Sequence, residues 1–166
     1  LDLNLHAPVH QPALAHQRAQ HGQARGVTAI QRRECGNRLH GQRRIGIADG
    51  DRVDRTNLQR QVIHHTPDLG RLKVRSAAEK MRAINPDIAV EEHPFFLDHT
   101  NILDLVRRYD FVLDCTDGFP IKFLINDACV LANKPFNHAG ILRWDGQTIT
   151  CLPWKSATYR CIFKKM

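Results

Sequence analysis

The stretch from Ile45 to Lys73, IGIADGDRVDRTNLQRQVIHHTPDLGRLK, constrains this chain more than any other. The apolar run Ile45 to Ala48 is too short for a helix and reads as a buried strand. It ends in two acids, Asp49 and Asp51. A polar loop with Asn57, Arg60 and Gln61 follows, then a Thr-Pro-Asp-Leu-Gly turn and the cation Lys73 at a helix start. In open α/β sheets ligands bind outside the carboxyl ends of strands. Asp49 is therefore placed to bond ribose hydroxyls, and Arg60 and Lys73 to hold phosphates.

From Arg71 the pattern turns helical: Val74, Ala77, Ala78, Met81 and Ile84 recur at helical spacing, and Asn85-Pro86 ends the run. Arg71, Lys73 and Arg75 crowd its first turn, where the helix dipole disfavours cations. Either a bound polyphosphate offsets this, or the face is simply exposed and basic. Ile88 to Glu92 reads as a strand and Asn101 to Arg108 as a short helix. Asp110 to Asp114 is a buried strand followed by the loop Cys115-Thr116-Asp117-Gly118. Phe119 to Ala132 is a second long helix, with Pro120 in its first turn and Asn133 as its C-cap. Pro135 to Ala139 begins another strand, and Trp144-Asp145-Gly146-Gln147 is a hairpin turn. This alternation predicts an α/β fold: a Rossmann-like, doubly wound, mostly parallel sheet closed by a C-terminal antiparallel hairpin.

Residues 1–43 read differently. His, Gln, Arg and Ala dominate, and only Ala13 to Ala24 suggests a weak helix. Their five histidines, His6, His10, His16, His21 and His40, follow no metal-binding spacing. The segment is expected to be poorly ordered. The chain thus divides into residues 1–43 and a nucleotide-binding unit of residues 44–166.

The net charge of +7 raises nucleic acid as a partner, but residues 1–43 supply +4 of it, with no Lys and no aromatic residue. That distribution argues against nucleic acid. No apolar run reaches the ~18 residues of a membrane span, and the N-terminus lacks the basic start and apolar core of a signal peptide. The first residue is Leu1, consistent with a processed product or a fragment. Five scattered cysteines point to reduced thiols and a cytoplasmic protein. Cys115 and Cys129 are expected to be buried and inert.

The segment DGDRVDRTNLQRQVIH resembles the D-x-D-x-V-x-x-x-N-L-x-R-Q signature of the E1-like, ubiquitin-activating adenylyltransferases, which include the ThiF, MoeB and HesA proteins. GRLKVRSAAEKMRAINPDI, YDFVLDCTDGFPIKFLINDACVLANKP and HAGILRWDGQTIT match the same family in order, so the resemblance covers roughly Arg44 to Phe163. It implies ATP-dependent adenylylation of the C-terminal carboxylate of a ubiquitin-like sulfur-carrier protein, for thiamine or molybdopterin synthesis, by a homodimer.

Carried over residue by residue, the resemblance implies that Asp49 binds the ATP ribose. Asn57, Arg60 and Gln61 would contact ribose and phosphates, and Lys73 would neutralise the phosphates. Asp117 would hold Mg²⁺, with Arg60, Lys73 and Asp117 as the catalytic set. Mg²⁺ needs only one or two carboxylates when phosphate and water complete its shell. The bland alternative for Asp117 is a helix N-cap. Asp114 reads as a strand-end residue, and Asp51 as an aid to the loop.

Two departures from the family stand out. The expected first strand and G-x-G-x-x-G turn are missing: Gly22, Gly26, Gly36 and Gly41 are too far apart to form the motif. A change of reading frame upstream of about Arg44, or divergence to an inactive form, would each account for this. The second is Thr158-Tyr159-Arg160-Cys161, which has Thr where many relatives begin a Cys-x-x-Cys pair. Cys161 alone cannot build a four-ligand site, so structural Zn²⁺ is not expected. These departures keep open the alternative of a non-catalytic, degenerate relative that acts as a protein-binding module.

Overall fold

The computed structural model describes residues 28–33, 43–142 and 144–163. Its sheet contains β1 (Thr28–Arg33), β2 (Arg43–Ala48), β3 (Ala89–His93), β4 (Phe111–Asp114), β5 (Phe136–Leu142) and β6 (Asp145–Cys151). The helices are α1 (Lys73–Ile84), α2 (Ile102–Arg107), α3 (Phe119–Leu131) and the short α4 (Tyr159–Ile162). The strand order is β3-β2-β1-β4-β5-β6. The pairs β2–β3 and β4–β5 are parallel, each joined by a crossover containing a helix. The pair β5–β6 closes the sheet as the expected antiparallel hairpin.

Side chains alternate along β2, and this winds the sheet on both faces. Ile47 faces one way and packs with Val74, Ala77 and Ala78 of α1 and Val90 of β3. Ala48 faces the other way, into the larger core of Ile102, Leu105, Val106, Val112, Ile121, Ile125 and Phe136. Each fully buried Val or Ile contributes roughly 1.5–3 kcal/mol. Gly46 is required at its position: a Cβ there would collide with the Tyr109 ring, 2.9 Å from its Cε1. Ile84, counted with the apolar face of α1 on spacing, is the last helical residue and is 83% exposed.

The N-terminal expectation needs correcting in one place. Within residues 1–43, Thr28–Arg33 forms a strand at the centre of the sheet, antiparallel to both β2 and β4. The sheet is therefore mixed. An antiparallel neighbour needs no crossover helix, and β1 takes the slot between β2 and β4. The possible helix over Ala13 to Ala24 lies outside the described residues.

Two turns show how sequence sets the chain's path. At the end of α3, Asn133 adopts φ 52°. Its N–H donates to Val130 O and that of Lys134 to Cys129 O. This is a Schellman closure, with Asn133 one residue beyond the Ala132 cap. In the hairpin, Leu142 pairs with Asp145. Asp145 and Gly146 belong to β6 and not to the turn.

Candidate functional site

The carboxyl ends of β2 and β4 bring the main candidates together. Asp49 follows β2 and is 1% exposed. Its Oδ1 accepts the Asp51 N–H at 2.7 Å, which bends the chain away from the strand. Its Oδ2 is buried and accepts no hydrogen bond. Lys73, the first residue of α1, lies 4% exposed beneath it. Its Nζ is 3.1 Å from Asp51 Oδ2 and 3.9 Å from Asp49 Oδ2. Burial pushes the Asp49 carboxyl above the ordinary range. The Asp51 N–H and Lys73 oppose this, while Asp51 and Asp117 add to it. Asp117 is thus close enough for its charge to be felt at Asp49.

The segment between Asp51 and Lys73 is a stapled excursion. Val53 N–H donates to Arg71 O, Gly70 N–H to Val53 O, and Lys73 N–H to Asp51 O. At its base Asp68 takes hydrogen bonds from Lys80, the His65 N–H and Arg71. Arg71 also pairs with Glu79 at 2.6 Å. The cations at the start of α1 are therefore largely offset by acids of the chain itself, without a polyphosphate.

Asn57, Arg60 and Gln61 sit on the exposed part of this excursion. Asn57 Oδ1 closes a capping box by accepting the Asp54 N–H at 3.1 Å. Arg60 is exposed and donates to Thr56 O at 3.0 Å. Gln61 Oε1 is buried and has no hydrogen-bond partner. Among the described residues no hydrogen bond or ion pair joins these three to Asp49, Asp51 or Lys73. One corner is assembled; the other is near it in sequence but not linked by contact.

Asp117 is exposed, in the loop between β4 and α3. It is not the helix cap: the N-cap of α3 is Gly118, and no side chain caps that helix. Among the described residues nothing bonds its carboxylate. An exposed, unengaged carboxylate whose charge is felt at Asp49 suits a Mg²⁺ ion that draws its other ligands from phosphate and water. Among the described residues no group of three or more His, Cys, Asp or Glu gathers into an all-protein metal site.

A second polar cluster lies behind this loop, and its members were not foreseen as a unit. Asp114 is 2% exposed. Its Oδ1 accepts from the Thr116 N–H at 2.9 Å and the Thr116 hydroxyl at 2.6 Å. Its Oδ2 accepts from His138 Nδ1 at 2.8 Å and lies 3.5 Å from Lys122 Nζ. Burial works against the Asp114 carboxylate, but His138, Lys122 and Thr116 outweigh it and hold it below the ordinary range. The sequence signal was present in Lys122 and His138, polar residues within otherwise apolar helix and strand patterns.

Cys129 is buried, as expected, and burial pushes its thiol up. Cys115 is exposed, contrary to expectation, because it stands at the mouth of the loop after β4. Its thiol is also pushed up, by local desolvation and by Asp114. A raised thiol makes a poor nucleophile. No helix among the described residues is long and apolar enough to cross a membrane.

The ThiF family matches residues 38–166. The chain is 50% identical over 103 residues to the probable adenylyltransferase/sulfurtransferase MoeZ of Mycobacterium tuberculosis, covering 62% of this chain and 26% of that protein. It is 39% identical over 127 residues to the sulfur carrier protein adenylyltransferase of Thermus thermophilus, covering 74% of this chain and 47% of that one. The fold matches the crystal structure of E. coli MccB with ATP at a TM-score of 0.62 and 26% identity, covering 73% of this chain and 37% of that one. The chain thus spans between about a quarter and a half of the length of these curated relatives.

Proposed function

We propose, for a chain that belongs to the ThiF family, the ATP-dependent adenylylation of the C-terminal carboxylate of a ubiquitin-like sulfur-carrier protein. The observation that carries this reading is the corner at the ends of β2 and β4. There the buried Asp49 keeps Oδ2 without a hydrogen bond, Lys73 is fixed beside it, and Asp117 stands unengaged.

A terminal carboxylate is ionised at neutral pH, so the attack needs no strong general base. It needs alignment and relief of charge repulsion between carboxylate and phosphate. Asp49 Oδ2 is a free acceptor for a ribose hydroxyl. Lys73 supplies a cation with little freedom to reorient, and it reaches phosphate by exchanging its bond to Asp51. Arg60, held at one Nη by Thr56 O, offers the rest of its guanidinium to phosphate, and the Asn57 and Gln61 amides line the same loop. Asp117 would hold Mg²⁺. When bound, that ion screens the triphosphate and stabilises charge developing on the departing pyrophosphate. By the same family reading the chain acts in the cytoplasm as a homodimer.

The spacing of Gly22, Gly26, Gly36 and Gly41 favours a second reading, a protein-binding module without turnover. Mixing the chain with Mg-ATP and a sulfur carrier, followed by mass spectrometry of the carrier, separates the two. The first reading predicts an adenylate mass adduct at the carrier C-terminus. A carrier that binds but stays unmodified supports the second.

A further inference from the structure

We propose that Asp114, Lys122 and His138 are positioning residues that fix the loop bearing Asp117, and so set where that carboxylate stands in the adenylylation site. This rests on the reading of Asp117 as a Mg²⁺-holding residue.

Asp114, Lys122 and His138 are 2%, 7% and 1% exposed. Buried ionisable groups are retained only where partners offset their desolvation. The cluster meets that condition from three different elements. Asp114 ends β4, Lys122 lies in the first turns of α3, and His138 lies in β5. Lys122 also donates to Ala139 O at 3.1 Å, which ties α3 to β5 independently of Asp114. The loop Cys115–Gly118 leaves β4 immediately after Asp114 and enters α3 just before Lys122, so both of its ends are anchored in the cluster.

The division of labour on Asp114 makes this specific. One oxygen binds the loop, through the Thr116 N–H and hydroxyl; the other binds His138 and faces Lys122. The carboxylate plane therefore transmits the placement of β5 and α3 to Thr116, the residue before Asp117. Asp117 itself has no hydrogen bond or helix-capping role to hold it. Its position is set from behind. His138 is in turn packed on Tyr159 of α4, with ring centroids 4.4 Å apart.

The test uses the full chain and amide hydrogen exchange followed by NMR. His138→Phe keeps an aromatic ring against Tyr159 but removes the bond to Asp114. Lys122→Met keeps the stem but removes the charge, and Lys122→Arg restores it. The expected result is that His138→Phe and Lys122→Met speed exchange at the Thr116 amide by about tenfold or more, while amides in the middle of α1 and β2 change by less than about twofold. Lys122→Arg should return Thr116 towards its natural rate. Either an unchanged Thr116 amide in a folded His138→Phe chain, or a uniform rise across the sheet and helices, overturns the proposal. A second arm measures paramagnetic broadening of the Asp117 and Gly118 signals by Mn²⁺ with ATP. If Thr116 responds as expected and Mn²⁺ broadens neither signal in the natural chain, the loop assignment stands and the metal reading of Asp117 fails.

Discussion

Lys73 Nζ lies 3.1 Å from Asp51 Oδ2, so the cation expected to meet phosphate is already engaged with a carboxylate of its own chain. Asp49 Oδ2 lies 3.9 Å from the same nitrogen, and both Lys73 and Asp49 are buried. One buried ammonium thus stands between two carboxylates before any ligand arrives.

Removing Lys73 therefore unbalances the fold as well as the site. Lys73→Met is expected to cost about 3 kcal/mol, because it leaves a buried carboxylate without its counter-charge. Urea unfolding of Lys73→Met, Asp49→Asn and the double variant measures the coupling. The double variant should be less destabilised than the sum of the two singles. Simple additivity would mean that Lys73 acts through Asp51 alone.

Asp49 carries strain of the opposite kind. Burial raises its folded pKa above the ordinary 3.8. As pH rises through that window, folding forces ionisation in a desolvated place, and stability falls until the folded value is passed. Asp49→Asn removes this cost while keeping the Oδ1 acceptor for the Asp51 N–H. The melting temperature at pH 7 should rise, and nucleotide affinity should fall. A lower melting temperature would show that the Lys73 contact outweighs the burial cost.

Asp68 runs the other way. The Lys80 ammonium first, then the His65 N–H, hold its carboxyl well below the ordinary 3.8. Its contribution is present in full above about pH 4 and is lost as pH falls toward the lower folded value. Asp68→Asn should cost about 2 kcal/mol at pH 7, and the difference should shrink between about pH 4 and 2. Urea midpoints for both chains at pH 7, 4 and 3 read this directly. A gap that stays constant down to pH 3 would point to packing and not charge.

Nucleotide affinity should be weak. The proposed contacts Lys73, Arg60 and Asp117 are present in the sequence, but the glycine spacing does not fit a G-x-G-x-x-G phosphate cradle. Losing several charge-assisted hydrogen bonds at ~1.5–3 kcal/mol each takes a micromolar site to millimolar. Calorimetric titration with Mg-ATP gives the number. Low-micromolar binding would show that another segment supplies the cradle.

Much of this was legible in the residues, and the reasons differ by place. Helices α1 and α3 were readable because their apolar spacing is regular and Pro86, Pro120 and Asn133 mark their ends. The places of Asp49 and Asp117 just after β2 and β4 were readable because short apolar runs lead into both loops. Strand β1 was not: TAIQRR has one aliphatic pair and takes its place through backbone pairing with β2 and β4. The Asp114–Lys122–His138 cluster was hidden because its members are 24 residues apart at the extremes and meet only when β4, α3 and β5 are side by side. The partnership of Lys73 with Asp51 was hidden for the same reason, since they lie 22 positions apart at the two ends of the excursion.

The central claim, a Mg²⁺-dependent adenylylating corner built on Asp117, is tested most directly by carrier-dependent ATP–pyrophosphate exchange. Two variants are compared: the chain given the glycine-rich turn of the family, and the same chain with Asp117→Asn. Gly118 and not Asp117 caps α3, so the two chains should unfold within about 0.5 kcal/mol of each other. The account predicts exchange in the first chain, only when a carrier with an intact C-terminal carboxylate is present, and its loss in Asp117→Asn. Full exchange by Asp117→Asn would contradict it.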